Sequence, residues 1–202
     1  MKRYSGIFLI ALCVLVSCNS TSKKEEIVPL VTSDKNIGSA QFWNNLKSYC
    51  GNTYEGKVVS APMHEDFYGK RLVMHVLSCE NDFILIPFNV GDNRSRTWIL
   101  QKKGNRIELK HDHRKEDGVD DEITMYGGIT TNSGLPHIQV FPADEATKEL
   151  IPEAATNIWW ITLKDSTFTY NLKRIGSERA FSVAFDLTKS VETPEPSWGW
   201  EE

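Results

Sequence analysis

Between residues 53 and 188 the chain is written in short runs that alternate polar and apolar side chains, separated by turn residues. The clearest run sets Phe181, Val183, Phe185 and Leu187 against Ser182, Ala184, Asp186 and Thr188, and Phe168, Tyr170 and Leu172 against Thr169, Asn171 and Lys173 repeat it. A period of two places one set on each face of an extended strand. Comparable runs at 53–60, 71–79, 83–90, 96–102, 106–113, 122–127, 137–141 and 158–163 complete the set. Asn81-Asp82, Gly91-Asp92-Asn93, Gly104-Asn105 and Lys164-Asp165-Ser166 sit between neighbouring runs as hairpin turns. The pattern therefore predicts an all-β, antiparallel up-and-down meander of about eight to ten strands. Closing such a sheet into a barrel removes its exposed edges.

One short helix precedes the strands and another interrupts them. Ser39 is a plausible N-cap for a helix over 41–49 that presents Phe42, Trp43 and Leu46 on one face and ends at Gly51. A second, near 144–150, is bounded by Pro142 and Pro152. A helix beside a meander barrel resembles the lipocalin and calycin layout, which implies a ligand held at the barrel mouth. Trp160, Phe168, Tyr170, Phe181 and Phe185 are the candidates to line it, and the same residues equally suit a solid core. The tryptophans of the ending Pro194-Glu195-Pro196-Ser197-Trp198-Gly199-Trp200 are expected to pack over a barrel end.

The N-terminus follows a different logic. Lys2 and Arg3 precede an apolar run from Ile7 to Val16, then Ser17 and Cys18, the layout of an export signal. The run is about half of the roughly 20 residues a membrane-spanning helix needs. Leu15-Val16-Ser17-Cys18 resembles the lipobox of bacterial lipoproteins, which implies cleavage before Cys18 and acylation of that cysteine, palmitate included. The expected organisation is a signal peptide at 1–17, a flexible tether at 18–38 and one barrel domain at 39–202. The expected location is the bacterial cell envelope, on its periplasmic or cell-surface face, with the lipid as membrane contact.

Charge narrows the partners. The chain has 23 basic and 27 acidic residues, and loss of Lys2 and Arg3 with the leader leaves a formal charge of −6. Such a balance argues against nucleic acid. Export also decides the cysteines: Cys13 departs with the leader and Cys18 carries lipid, so Cys50 and Cys79 are left to form a disulfide in an oxidising compartment.

The richest candidate for chemistry is the run 106–113, whose alternation puts Ile107, Leu109, His111 and His113 on one face. Side chains two apart on a strand lie about 6.5 to 7 Å apart at their bases, close enough to share a metal ion. His75 is the candidate third ligand, although its strand is apolar on both phases. Histidines at a barrel rim bonded to backbone or water, and acid–base catalysis, are the competing readings. The acidic segment Glu116-Asp117-Gly118-Val119-Asp120-Asp121-Glu122 lacks EF-hand spacing and reads as a solvated turn. Arg94, Arg96 and Arg106 are expected to pair with Glu108, Asp112 or that turn, with an anion pocket as the alternative. Met125-Tyr126-Gly127-Gly128 reads as a strand ending in a bulge or a close backbone approach. Gly-x-Ser-x-Gly, Cys-x-x-Cys and Walker patterns are absent from the sequence.

The segments Phe42-Trp43 to Tyr49-Cys50-Gly51, Tyr54 to Val59, Leu109 to Arg114, Thr124 to Gly128 and Phe141 to Asp144 together are similar to a group of bacterial secreted proteins. That resemblance implies one coherent domain and transfers no activity, cofactor or site residue. The expected function is a lipid-anchored module that binds a small apolar ligand or an envelope protein. A metal- or histidine-dependent envelope hydrolase and a structural protein without ligand are the alternatives.

Overall fold

The structure, a computed structural model, describes residues 38–61 and 65–200. The leader, Cys18 and all but the last residue of the expected tether lie outside the described residues. Helix α1 (Gly38–Lys47) is followed by β1 (Thr53–Val58), β2 (Leu72–His75), β3 (Ser78–Cys79), β4 (Phe83–Val90), β5 (Asn93–Lys103) and β6 (Arg106–His113). Then come β7 (Tyr126–Ile129), β8 (Ile138–Pro142), α2 (Glu145–Leu150), β9 (Asn157–Lys164), β10 (Thr167–Arg174) and β11 (Ala180–Ser190). Short 3-10 turns occupy Glu65–Phe67 and Pro152–Ala154. No helix among the described residues is long and apolar enough to cross a membrane.

All pairings are antiparallel, in the order β7-β6-β5-β4-β2-β1-β11-β10-β9-β8, with β3 beside β4. First and last strands pair, as a closed meander requires, and the seam falls between β7 and β8 instead. There the glycine pair lets two backbones meet. A Cβ on Gly128 would overlap the Pro142 carbonyl, and one on Gly127 the Leu109 carbonyl. The Thr147 hydroxyl of α2 then bridges the gap: it accepts from Gly127 N–H at 2.7 Å and donates to Gly127 C=O at 2.8 Å. Asp144 N–H adds a bond to the same carbonyl at 3.0 Å. The nearly closed barrel thus needs a side chain where strand pairing stops.

Inside, the period of two is obeyed. Ile84, Ile86, Trp98, Leu100, Ile107, Leu109, Trp159, Ile161, Phe168, Val183 and Phe185 form one core, each nearly inaccessible to solvent. Each such side chain contributes about 1.5 to 3 kcal/mol through burial. Helix α1 stops one barrel end: Phe42, Trp43 and Leu46 enter the core, as their spacing predicts. Ser39 is not the cap expected of it, because the helix already includes Gly38, and its hydroxyl donates to Asn105 C=O in the β5–β6 turn. Cys50, just after α1, is disulfide-bonded to Cys79 of β3, with Cα atoms 6.0 Å apart.

The chain departs from expectation in four places. The run 71–79 splits into β2 and β3. The strand expected at 122–127 starts only at Tyr126, and residues 114–125 form a turn-rich connection. Arg94 pairs with Glu195 at 3.3 Å, and Asp112 takes Arg114 at 2.8 Å as its cation, so the expected partnership of Arg94, Arg96 or Arg106 with Asp112 gives way to a neighbour two residues on. Finally, the C-terminal segment does not cap a barrel end. It runs along the outer wall, where Ser197 donates to Asn89 at 3.2 Å and the Trp200 indole donates to Asp112 at 2.8 Å.

Candidate functional site

Opposite α1 the barrel is open, and a cavity of about 250 Å³ enters it there. Its walls come from the ends of β4, β5, β6, β10 and β11, from Tyr126 of β7 and from the connection carrying Asp66 and Phe67. Register explains the composition. Arg96 and Trp98 of β5 pair with His113 and His111 of β6, so two residues of each strand point into the mouth together. Beneath them the barrel is solid, because Phe168 and Phe185 are fully buried. The Trp98 ring lies at 4.8 Å from Phe88 and 4.4 Å from Tyr170, both stacked, and Phe67 stacks on Phe181 at 4.5 Å.

A hydrogen-bonded chain crosses the floor. His111 Nδ1 donates to the Tyr126 carbonyl at 3.0 Å, since a carbonyl can only accept. That leaves Nε2 as an acceptor, and the Tyr170 phenol donates to it at 2.6 Å. Tyr126, stacked on His111 at 4.7 Å, shares its own phenol with His113 Nε2 at 3.0 Å. Burial pushes the His111 imidazolium down to about 3; burial and the nearby Arg96 push His113 to about 4. Burial raises both phenols, Tyr126 to about 12. At neutral pH the floor is therefore uncharged, and the charged side chains of the lining are Arg96, Arg179, Asp66 and the Arg114-paired Asp112.

The sequence candidates separate on this map. Tyr170 and Phe181 line the cavity, whereas Phe168 and Phe185 belong to the packed core below. Trp160 points the other way: it pairs with Asn171 on the outer face, and the adjacent Trp159 fills the interior. His111 and His113 do share the inner face. His75 does not join them, because Leu72 and Met74 of β2 and Val76 just beyond it face the core and leave His75 against the C-terminal segment outside. The histidine trio is thus divided by the barrel wall, and both nitrogens of His111 are already engaged. Among the described residues no group of three or more His, Cys, Asp or Glu side chains is placed to hold a metal ion. Among the described residues the cavity lining contains no serine or cysteine, and its hydroxyl-bearing side chains are Thr97, Tyr126 and Tyr170.

Trp98, Phe67, Phe88 and Arg179 are among the lining residues that the sequence did not single out, and Tyr126 is expected there only as part of a strand end. Trp98 had a usable signal, two residues from Arg96 on one strand; Phe67 and Arg179 sit on connections, where periodicity is silent. No protein-family model matches this chain, and neither a curated protein nor a solved structure matches it.

Proposed function

We propose that this protein is a ligand-binding β-barrel held on the bacterial cell envelope by lipid at Cys18, taking a small, largely apolar molecule into its open end. The observation that carries the reading is the aromatic-walled cavity over an uncharged hydrogen-bonded floor. Its volume of about 250 Å³ exceeds the roughly 150 Å³ that accommodates benzene in an apolar protein cavity and approaches the usual ligand-pocket range from about 300 Å³. A molecule of one or two rings matches that space. The engaged histidines favour binding over hydrolysis. Acylation of Cys18 rests on the lipobox-like leader, and a tether of about 20 residues would give the barrel a mean reach near 25 Å from the membrane.

The test begins with the full chain purified from its own envelope. Intact mass of the mature protein should begin at Cys18 and carry acyl groups. Native mass spectra should show an organic adduct in the wild type that is lost in Leu172→Trp, whose larger side chain would occupy the mouth. A wild type without an adduct, and with no heat of binding for any small aromatic probe, would overturn the binding reading.

A further inference from the structure

We infer that the cavity selects a flat, ring-bearing monoanion, with a carboxylate the fitting head group, read by Arg179 and Arg96 at the mouth. This rests on the binding reading above and names its ligand class. The aromatic body follows from the composition of the walls, in which Phe67, Trp98, Tyr126, Tyr170 and Phe181 all border the cavity.

The head group follows from charge. Arg96 enters from β5 and Arg179 from the β10–β11 turn, and both line the cavity. The Arg96 guanidinium donates to the neutral Asn93 side chain at 2.8 Å and feels the Asp66 carboxylate nearby. The Arg179 side chain is exposed and makes no hydrogen bond or ion pair among the described residues. Asp112, the other acid in the lining, is already neutralised by Arg114 on the outer wall. Among the described lining residues two guanidinium groups therefore outnumber the one acid, Asp66, that Arg114 does not take up. A guanidinium is planar and donates in a fork that matches a carboxylate, so a planar acid satisfies both the ring walls and the rim. A cation would meet two arginines and gain nothing from the neutral floor.

The experiment compares three probes of one shape by calorimetry at low salt on the full chain: 2-naphthoate, 2-naphthamide and 2-naphthylmethylammonium. The carboxylate should bind roughly tenfold more tightly than the amide, the ratio expected of a charge-assisted pair at a partly solvated rim, with the ammonium weakest. Arg179→Gln, on an exposed turn, should keep the wild-type melting temperature and weaken 2-naphthoate far more than 2-naphthamide, so that most of the carboxylate preference is lost. An amide or ammonium that binds as tightly as the carboxylate overturns the inference, as does a preference unchanged by Arg179→Gln. If no probe binds but the native adduct is present, the ligand class is wrong and the binding reading stands; absence of both removes the two together.

Discussion

Tyr170 donates its phenol proton to His111 Nε2 across 2.6 Å, in a part of the barrel where His111 is only 4% exposed. That bond requires an unprotonated imidazole, so the fold excludes a proton that the unfolded chain would accept. The unfolded histidine titrates near 6.5, and burial holds His111 at about 3 and His113 at about 4 in the folded chain. Between those limits the unfolded state binds more protons, so stability rises with pH. The contribution is complete above 6.5 and is lost as pH falls, at no more than about 1.4 kcal/mol per histidine for each pH unit. Urea midpoints measured from pH 7 to pH 5 should fall accordingly. His113→Gln keeps a polar partner for Tyr126 and should flatten the decline; a slope equal to wild type would show that His113 is not excluded from protonation.

The seam yields a sharper expectation. Thr147→Val removes the side-chain acceptor of Gly127 N–H, while the Gly127 carbonyl keeps its bond from Asp144 N–H. One buried donor is orphaned, which costs about 1 to 3 kcal/mol. Thr147→Ser retains the hydroxyl and should recover most of the loss. Hydrogen exchange at the Gly127 amide should accelerate in Thr147→Val ahead of global unfolding. Gly128→Ala, which forces a Cβ into the Pro142 carbonyl, should be worse than either and lower the urea midpoint furthest.

These residues also mark how far the sequence could be read. Runs 83–90, 106–113 and 167–174 coincide with β4, β6 and β10, because alternation and flanking turns report the same local geometry. The close backbone approach expected at Gly127 and Gly128 is present, but glycines carry no alternation, so the start of β7 at Tyr126 and the carbonyls that crowd the pair are not legible. Phase is the second limit. Trp159 and Trp160 are adjacent aromatics, and only the pairing of Trp159 with Leu172 decides which one is inside. His75 fails likewise, on a strand apolar on both faces. The third limit is covering: Asp112 is buried on the outer wall because a segment nearly ninety residues later lies over it, and no local pattern records that.

That covering segment is itself testable. The Asp112 carboxylate accepts from Arg114, Thr124 and the Trp200 indole, and the Arg114 guanidinium lies 5.0 Å from the Trp200 ring centre. Trp200→Phe preserves a ring under Arg114 but withdraws one donor from a buried anion. The expected cost is about 1 to 2 kcal/mol, near the lower end for bonds to charged groups. Protease cleavage within 193–200 should become faster. Unchanged cleavage would mean that Pro194, Pro196 and Ser197 hold the segment without the indole.

The disulfide separates stability from binding, because it lies at the α1 end and the cavity opens at the other. Cys50 and Cys79 are 29 residues apart in sequence, and closing a loop of that size restricts the unfolded chain by about 3.5 kcal/mol on the chain-entropy account. The paired variant Cys50→Ala, Cys79→Ala should therefore lose roughly that much in urea unfolding. Its affinity for 2-naphthoate at a temperature where it remains folded should match wild type. Intact mass after alkylation, with and without reductant, checks the bond itself. If removing the bridge weakened binding without loss of folded protein, α1 and the mouth would have to be mechanically coupled through the Phe168 and Phe185 layer between them.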